Sequence, residues 1–281
     1  MNIAVSGFNG FIGQAIYHYF SNKGHTVISI KQNENETGLI QIIENSDVII
    51  NLAGAPILKR WTSYNKKLIA ESRVATTKKI VRALNDASRK PSLFISASAI
   101  GIYNDVDVHE ESSRKFGSDF LSSVCQNWEQ AALQANDLSL RIIIARLGVV
   151  LDKNNGAFPR MKKPFVYAAG GTIGSGMQAF SFIHIEDLLA AFSFFIDNKS
   201  TQGIYNLSSP EYCTNKEFTQ ILSILLKKPA FMRVPGIALK ILFGEGASVL
   251  LKGQKVVPEK LLKEGFIFKF QNIESALINI V

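Results

Sequence analysis

Three glycines with a spacing of three residues stand near the start of the chain, at Gly7, Gly10 and Gly13. An apolar run at residues 2–6 precedes them and an amphipathic stretch at 11–23 follows, which predicts a strand, a tight turn and a helix in succession. In such a turn the first glycine permits the bend, the second lets a pyrophosphate approach the backbone, and the third lets helix and strand pack closely. The phosphates then lie on free N–H groups at a helix N-terminus, where the helix dipole favours an anion.

This turn predicts a dinucleotide-binding site, and a purely structural glycine turn is the alternative. The predicted phosphate-binding residues are Gly7, Phe8, Asn9, Gly10, Phe11, Ile12 and Gly13.

Strand-like and helix-like segments alternate through the first two thirds of the chain. The later predicted strands cover residues 26–30, 47–52, 92–96, 140–145, 180–185 and 203–207, and the later helices cover 38–45, 63–86, 118–135 and 186–197. Strands that are apolar on both faces and separated by helices indicate a parallel sheet covered on both sides. The predicted fold is therefore α/β, a doubly wound parallel sheet of the Rossmann type with a smaller C-terminal α+β domain. Its ligand cleft is expected at the C-terminal ends of the strands.

The residues after the second strand indicate which dinucleotide is bound. An acid at this place accepts from the 2′-hydroxyl of NAD, whereas a basic residue suits the 2′-phosphate of NADP. Lys31 follows the strand directly, although Glu34 and Glu36 lie close enough to keep NAD as an alternative. We therefore predict NADP as the cofactor. Residues 1–165 would form the NADP-binding domain with 186–207 returning to it, and 166–185 with 208–281 would form a small substrate or cap domain.

Composition excludes several classes of protein. Of the 281 residues, 47% are hydrophobic, which excludes a disordered or fibrous chain. No apolar run approaches the roughly 18 residues of a membrane span and no signal peptide is visible, so we expect a cytoplasmic protein without membrane contact. Cys125 and Cys213 are isolated, which predicts neither a disulfide framework nor a metal site.

The formal net charge of +8 is concentrated at residues 59–90 and 227–269. Neither segment shows a helix-turn-helix, a zinc pattern or an array of aromatic residues on strands, so no nucleic-acid partner is expected. Arg60, Trp61 and Arg73 belong to a basic and aromatic group. This group is interpreted either as a solvated helix face or as a contact to substrate or adenine. The expected partner is a small-molecule substrate, and the expected state is a monomer or homodimer.

Beyond the glycine turn, several segments carry a family resemblance. Asn51-Leu52-Ala53-Gly54-Ala55 after the third strand resembles the short-chain dehydrogenase/reductase superfamily, in its extended branch of sugar-nucleotide epimerases and dehydratases. Segments 60–62, 72–74, 96–103, 146–151, 170–178, 183–187, 253–258 and 265–268 are similar in combination to the YfcH-like family of nucleoside-diphosphate-sugar epimerases. The resemblance covers nearly the whole chain. It implies further cofactor contacts at Leu52, Ala53, Gly54, Ala55 and Ser96.

The resemblance also implies an acid–base pair that this chain lacks. The superfamily uses a Tyr and a Lys four residues later, on one face of a helix. The two Tyr-x-x-x-Lys copies, at 19–23 and 212–216, both lie outside the helix that should carry the pair. On that helix Glu129 resembles the acid that follows the Lys, which puts Cys125 at the Lys place and Leu121 at the Tyr place. A register shifted by one residue offers no pair either.

Ser98 and Tyr103 are the remaining candidates for catalysis. Ser98 resembles, after a local shift, the hydroxyl that orients the substrate, and Ser96 is the alternative candidate for this role. A loop serine bonded to the backbone is an equal alternative to a catalytic Ser98. The place of Tyr103 in the family lies near the nicotinamide pocket, so this phenol is a candidate proton donor, and a packing role is equally open.

Substrate binding must also differ from that of the related epimerases. Those enzymes hold the substrate diphosphate with an arginine where this chain has Phe180. The candidates to replace that arginine are Arg146, Arg160, Lys162 and Lys163. Arg146 and Gln178 are the predicted substrate contacts. His184 is expected to be a structural hydrogen-bonder, and Asp187 is expected to cap the following helix.

Two functions fit these observations. The first is an NADP-dependent epimerase or oxidoreductase that acts on a small hydroxyl or carbonyl substrate, with nucleotide sugars among the candidates. The second is an NADP-bound sensor or scaffold with little catalytic activity.

Overall fold

The computed structural model describes residues 1–135 and 139–281. The strands are β1 Asn2–Ser6, β2 Thr26–Ile30, β3 Val48–Asn51, β4 Leu93–Ala99, β5 Val108–His109, β6 Arg141–Leu147, β7 Val149–Leu151, β8 Gly171–Ile173, β9 Ala179–Phe180, β10 Phe182–His184, β11 Gly203–Leu207, β12 Cys213–Thr214, β13 Met232–Val234 and β14 Lys255–Val256. The helices are α1 Phe11–Asn22, α2 Glu36–Glu44, α3 Ser63–Asp86, α4 Phe120–Leu133, α5 Phe158–Val166, α6 Ile185–Asp197, α7 Asn215–Leu226, α8 Gly236–Phe243, α9 Ser248–Leu251, α10 Glu259–Lys263 and α11 Ile273–Ile280. Within these described ranges, 3₁₀ turns cover Ile100–Ile102 and Gly244–Ala247.

Six strands form one parallel sheet in the order β11-β6-β4-β3-β1-β2. Its strands are apolar on both faces because helices cover both. Ile3, Ile50 and Ile95 face α1 and α6, whereas Ile49 and Phe94 face α2, α3 and α4. This arrangement confirms the predicted doubly wound α/β fold and places every C-terminal strand end of the sheet at one edge.

Side-chain caps determine where two helices begin. Hydrophobic periodicity alone predicts starts at residues 38 and 118, each two residues from the observed start. Asn35 accepts from the Gly38 N–H at 2.7 Å, and Asp119 accepts from the Ser122 N–H at 2.9 Å. Consequently α2 begins at Glu36 and α4 begins at Phe120. No helix in the described ranges is both long and apolar enough to cross a bilayer.

The C-terminal part has a core of its own. Phe158 and Phe165 on α5 pack with Phe218 on α7 and Leu277 on α11. Helix α5 therefore belongs to the C-terminal core, although the sequence-based boundary at 165 assigned it to the first domain. The two phenylalanines, one near each end of the helix, are both buried, and this contact with distant segments is invisible in the local pattern.

Two further predictions near residue 185 are corrected. The strand predicted at 180–185 is split: β9 pairs antiparallel with β12 and β10 pairs parallel with β7, and neither joins the large sheet. The cap of α6 is His184, whose Nδ1 accepts from the Glu186 N–H at 3.2 Å. The Asp187 carboxylate instead accepts from the N–H groups of Lys269 and Phe270 at 2.8 and 2.9 Å, because the C-terminal segment passes beside it.

Candidate functional site

The glycine turn lies at the C-terminal edge of the sheet, between β1 and α1. Gly7 has a φ of +79°, and a Cβ there would lie 2.8 Å from the carbonyl carbon of Leu52. A Cβ on Gly13 would lie 2.4 Å from the Gly7 carbonyl oxygen. A side chain at Gly7 or Gly13 would thus collide with backbone atoms, so glycine is required at both positions. Gly10, in contrast, has an ordinary φ of −77° and is exposed. The absence of a side chain at Gly10 leaves the helix N-terminus open to a ligand.

The first turn of α1 offers unoccupied N–H groups. Gly10 occupies the N-cap position without a side-chain cap, and the first turn carries no acid. The Gln14 N–H is bonded to the Gly10 carbonyl at 2.9 Å, so the N–H groups of Phe11, Ile12 and Gly13 have no acceptor one turn back. Such a terminus attracts an anion through both its N–H groups and the helix dipole.

The loop after β3 lies directly against this turn. The Leu52 N–H donates to the Ser6 carbonyl at 2.9 Å, and the Leu52 backbone contacts Gly7. Behind the loop, the buried Asn51 side chain donates to Thr77 at 2.7 Å and to the Ser96 hydroxyl at 3.4 Å. The structure therefore brings the predicted loop 52–55 beside the glycine turn, and it places Ser96 behind this loop, fully buried.

Lys31 stands at the same edge of the sheet. Because β2 runs parallel to β1 with Ile30 opposite Ser6, Lys31 lies close to the level of the glycine turn. Its side chain is exposed, and none of the ion pairs formed by the described residues includes it. Lys31 is thus free to meet an anionic group bound beside β2.

Ser98, Tyr103 and Arg146 form one buried network with two partners. The Ser98 hydroxyl donates to Glu129 Oε1 at 2.6 Å, and Arg146 donates to both Glu129 oxygens at 2.7 Å. Arg146 Nη1 also donates to the Tyr103 oxygen at 2.6 Å, and the Tyr103 hydroxyl lies 2.9 Å from Asn206 Oδ1. All five residues are buried.

This network directs the predicted catalytic and substrate groups inward. The ring of Tyr103 stacks on His109 at 4.5 Å, and burial raises the pKa of its phenol although Arg146 opposes the shift. Arg146 is 1% exposed and donates from Nε, Nη1 and Nη2 to protein groups. Ser98, Tyr103 and Arg146 therefore hold the ends of β4 and β6 together. Their polar groups bond to one another within the protein and do not face a ligand in the cleft.

Sequence reasoning did not identify Glu129 and Asn206 as partners in this network. A sequence signal exists: Arg146 interrupts an apolar strand, and Glu129 follows Trp128 on the apolar face of a helix. A buried acid and a buried base normally pair, since an isolated charge in a protein core is very costly. The β4–β6 register then brings Ser98 opposite Arg146.

Gln178 joins two parts of the C-terminal domain. Its amide nitrogen donates to the carbonyls of Ile173 and Leu250, both at 3.0 Å. Its Oε1 is buried and has no hydrogen-bond partner among the described residues. Gln178 thus anchors α9, within the segment 236–251 that we name the C-terminal helical segment.

The C-terminal helical segment contacts the first domain near the loop after β3. Arg60 Nη1 donates to the Ile241 carbonyl at 3.0 Å, and Lys66 forms an ion pair with Glu245. A Cβ on Gly246 would lie 2.3 Å from the Lys59 carbonyl oxygen, so the approach is close. The C-terminal domain therefore borders the same edge of the sheet as the glycine turn.

Comparison with known proteins identifies the family. Residues 3–208 match the NAD dependent epimerase/dehydratase family, and residues 234–280 match a domain of unknown function, DUF1731. The chain belongs to the NAD dependent epimerase/dehydratase family. The epimerase resemblance inferred from the sequence is thereby confirmed.

Two relatives of the epimerase family align along nearly the whole chain. It is 35% identical to the Arabidopsis thaliana epimerase family protein SDR39U1 homolog, described as chloroplastic, over 99% of this chain and 86% of that protein. It is 33% identical to the Bacillus subtilis epimerase family protein YfhF, over 100% of this chain and 98% of that protein.

Solved structures support the same assignment. The human epimerase family protein SDR39U1, solved with NADPH, superposes with a TM-score of 0.93 at 32% identity, and the match covers 100% of this chain and 99% of the human one. The Bacillus cereus UDP-glucuronic acid 4-epimerase, solved with NAD, has a TM-score of 0.79 at 16% identity over 99% of this chain and 94% of that one, which shows the shared fold alone.

At the place of the acid–base pair, this epimerase-family chain has groups that do not transfer protons. Leu121 is half-buried on α4 and carries no polar group. Cys125 is buried, and burial raises the pKa of its thiol to about 12. The thiol is therefore protonated at neutral pH and packs as a small buried apolar side chain.

Proposed function

We propose that this chain binds NADP(H) at the C-terminal edge of the sheet and acts on a small hydroxyl or carbonyl substrate. The observation that carries the proposal is the uncapped N-terminus of α1, presented by the glycine turn beside the loop after β3. Its N–H groups fit a pyrophosphate, and no acid in the first turn opposes an anion. The human relative solved with NADPH supports the same ligand.

Selection of NADP over NAD rests on Lys31. With the pyrophosphate on α1, the adenosine end of a dinucleotide extends over β2, as it does in other Rossmann folds. Lys31 follows β2 and is exposed and unpaired among the described residues, so its ammonium suits a 2′-phosphate. Lys79 donates to the Glu34 carbonyl, which brings a second cation to the chain just after Lys31.

The chemistry we propose is hydride transfer, which the nicotinamide supplies when it is bound. The chain would bind and orient the dinucleotide and shield the reacting carbon from water. Of the candidates on β4, α4 and the adjoining turn, none replaces the missing tyrosine as proton donor, because Ser98 and Tyr103 are held in the buried network and Cys125 is protonated and buried. A proton on the substrate oxygen would therefore come from water or from the substrate.

A second candidate function is an NADPH-bound sensor or scaffold with little turnover. The buried Ser98–Glu129–Arg146–Tyr103 network favours it, because these four polar groups bond to one another within the protein and are not available as acids or bases for catalysis. A cytoplasmic location, a small-molecule substrate and a monomeric or dimeric state stay predictions from the sequence.

Fluorescence titration with NADPH and NADH tests cofactor binding. The wild-type protein should bind NADPH more tightly than NADH, and Gly10→Val should abolish binding of both while circular dichroism shows a folded chain. Absence of binding of either dinucleotide to the wild-type protein would refute the proposal.

Lys31→Gln tests the choice of dinucleotide. Loss of one charge-assisted contact should weaken NADPH about tenfold at low salt and leave NADH unchanged. Lys199→Gln is the matched control, since Lys199 is also exposed and lies in the loop between α6 and β11. Equal weakening of NADPH and NADH by Lys31→Gln would contradict the assignment of Lys31 to the 2′-phosphate.

A panel of nucleotide sugars and small carbonyl compounds separates the two functions. Turnover with bound NADPH supports the enzyme. Tight NADPH binding without turnover on the whole panel supports the sensor or scaffold.

A further inference from the structure

Arg73 on α3 presents a guanidinium group beside the loop after β3. Its Nη1 donates to the carbonyls of Ala55 and Ile69, both at 3.1 Å. A Cβ on Gly54 would lie 2.9 Å from Arg73 Cζ and Nη2, so the missing side chain of Gly54 makes room for the guanidinium. The preceding residue, Ser72, accepts from the Ala55 N–H at 2.9 Å and holds the same loop.

This cation has no anionic partner within the described ranges. None of the ion pairs there involves Arg73, and the N–H groups on its Nε and Nη2 have no acceptor. The guanidinium lies over the ring of Trp128 at 5.4 Å, and burial lowers the pKa of Arg73. Arg73 is half-buried, and neither Nε nor Nη2 is among the buried atoms that lack a hydrogen-bond partner, so both groups reach solvent. Three N–H donors of Arg73 are therefore accessible beside the loop after β3, where ligand oxygens can accept from them.

The strand order shows which half of a dinucleotide reaches this place. In the sheet β2 lies on one side of β1, whereas β3 and β4 lie on the other. A pyrophosphate on α1 with its adenosine end over β2 must extend its nicotinamide end across β3 toward β4. Arg73 lies on that second side, between the loop after β3 and helix α4. It therefore faces the nicotinamide half.

Arg73 also lies near the position of the missing lysine. Its guanidinium lies 5.4 Å from the ring of Trp128, which stands on α4 three residues after Cys125, and its positive charge opposes the rise in the pKa of the Cys125 thiol. Cys125 occupies the Lys place in the family resemblance. The chain thus lacks a cation on α4 and has one on the neighbouring helix α3.

We propose that Arg73 binds the nicotinamide half of NADPH through its free Nε and Nη2 groups, as a cation in place of the missing lysine. The ligand atoms would be the electron-rich oxygens at that end, the ribose hydroxyls and the carboxamide. This inference rests on the proposed NADPH site. It assigns Arg73 to binding and positioning, because an arginine remains protonated at neutral pH and is a poor proton donor.

Binding of two ligands to Arg73→Gln tests the assignment. NADPH carries both halves of the dinucleotide, whereas adenosine 2′,5′-bisphosphate carries only the adenine half. The variant should bind NADPH about tenfold more weakly and the bisphosphate within a factor of about two of wild type, with Arg73→Lys intermediate. Lys78→Gln, an exposed charge on the same helix, should leave both affinities unchanged.

Gly54→Ala is a second variant that keeps the charge and displaces the guanidinium, since its Cβ would stand 2.9 Å from Cζ. It should cause the same selective loss of NADPH affinity and alter the fluorescence of the bound dihydronicotinamide. An equal loss of affinity for both ligands in Arg73→Gln would overturn the assignment to the nicotinamide half. Unchanged affinity for both would overturn the proposal as well, and would show that Arg73 only supports the loop. Failure of wild-type protein to bind NADPH refutes the proposed function itself and is a separate outcome.

Discussion

Glu129→Gln should destabilise the folded protein by about 3–5 kcal/mol, the usual effect of removing one partner of a buried ion pair. The side chains of Arg146 and Glu129 are only 1% and 7% exposed, so water cannot replace the lost charge. The carboxylate accepts one hydrogen bond from Ser98 at 2.6 Å and two from Arg146 at 2.7 Å. A glutamine has a single acceptor oxygen, and its NH₂ group would face a donor of Arg146. The guanidinium would then be buried without a counter-charge.

Unfolding in guanidinium chloride, followed by circular dichroism, measures the loss in free energy of unfolding, and thermal melting measures the change in melting temperature. Since roughly 1 kcal/mol shifts the melting temperature of a large domain by about 2–4 °C, the melting temperature should fall by about 10 °C. Glu71→Gln is the matched control: Glu71 is 59% exposed and pairs with Lys67 along α3, so its loss should change stability by less than about 0.5 kcal/mol.

The double variant Glu129→Leu with Arg146→Met separates the unpaired charge from the loss of packing. It should be clearly more stable than Glu129→Gln, because no isolated charge remains. A destabilisation of less than about 1 kcal/mol in Glu129→Gln, or a double variant less stable than Glu129→Gln, would refute a stabilising role of the buried ion pair.

Three further predictions follow from the buried groups. Ser98→Ala should destabilise the protein by about 1–2 kcal/mol through the lost bond to Glu129 and leave NADPH affinity within about twofold, as measured by melting and titration; a tenfold loss of affinity at unchanged stability would instead show Ser98 in the binding site. Cys125 and Cys213 are buried and burial raises the pKa of each thiol to about 12, so a thiol reagent should label the chain only after denaturation, and rapid labelling of the folded protein would contradict this. Burial lowers the pKa of His109 below its ordinary value near 6.5, so its contribution to stability is complete above pH about 6.5 and is lost as the pH falls through the lower folded-state pKa. The denaturant concentration at the unfolding midpoint should therefore decrease as the pH is lowered from 7 to 5, and it should decrease less in His109→Gln. An equal decrease in the variant would assign the effect to other groups.

Local sequence determined the cofactor edge of this protein. Gly7 has a φ of +79°, and a Cβ on Gly13 would meet the backbone of Gly7 and Phe8, so both glycines are required by the backbone of the turn itself. The alternation of apolar strands and amphipathic helices was sufficient to predict the doubly wound sheet, because strand and helix periods are properties of neighbouring residues. The same local character placed Lys31 after β2 and showed that α4 carries no acid–base pair.

The tertiary structure alone decided what the polar residues near that edge do. Ser98 and Arg146 looked available for chemistry in the sequence, yet the β4–β6 register sets them opposite each other and α4 brings Glu129 between them. Helix α5 joined the C-terminal core for a similar reason, since its partners on α7 and α11 come much later in the chain. Backbone turns and periodicity are fixed by adjacent residues, whereas the partner of a buried charge is fixed by register and packing between distant segments. The sequence therefore predicted where a dinucleotide would lie, and only the folded chain separated the groups that could meet it from those that hold the core together.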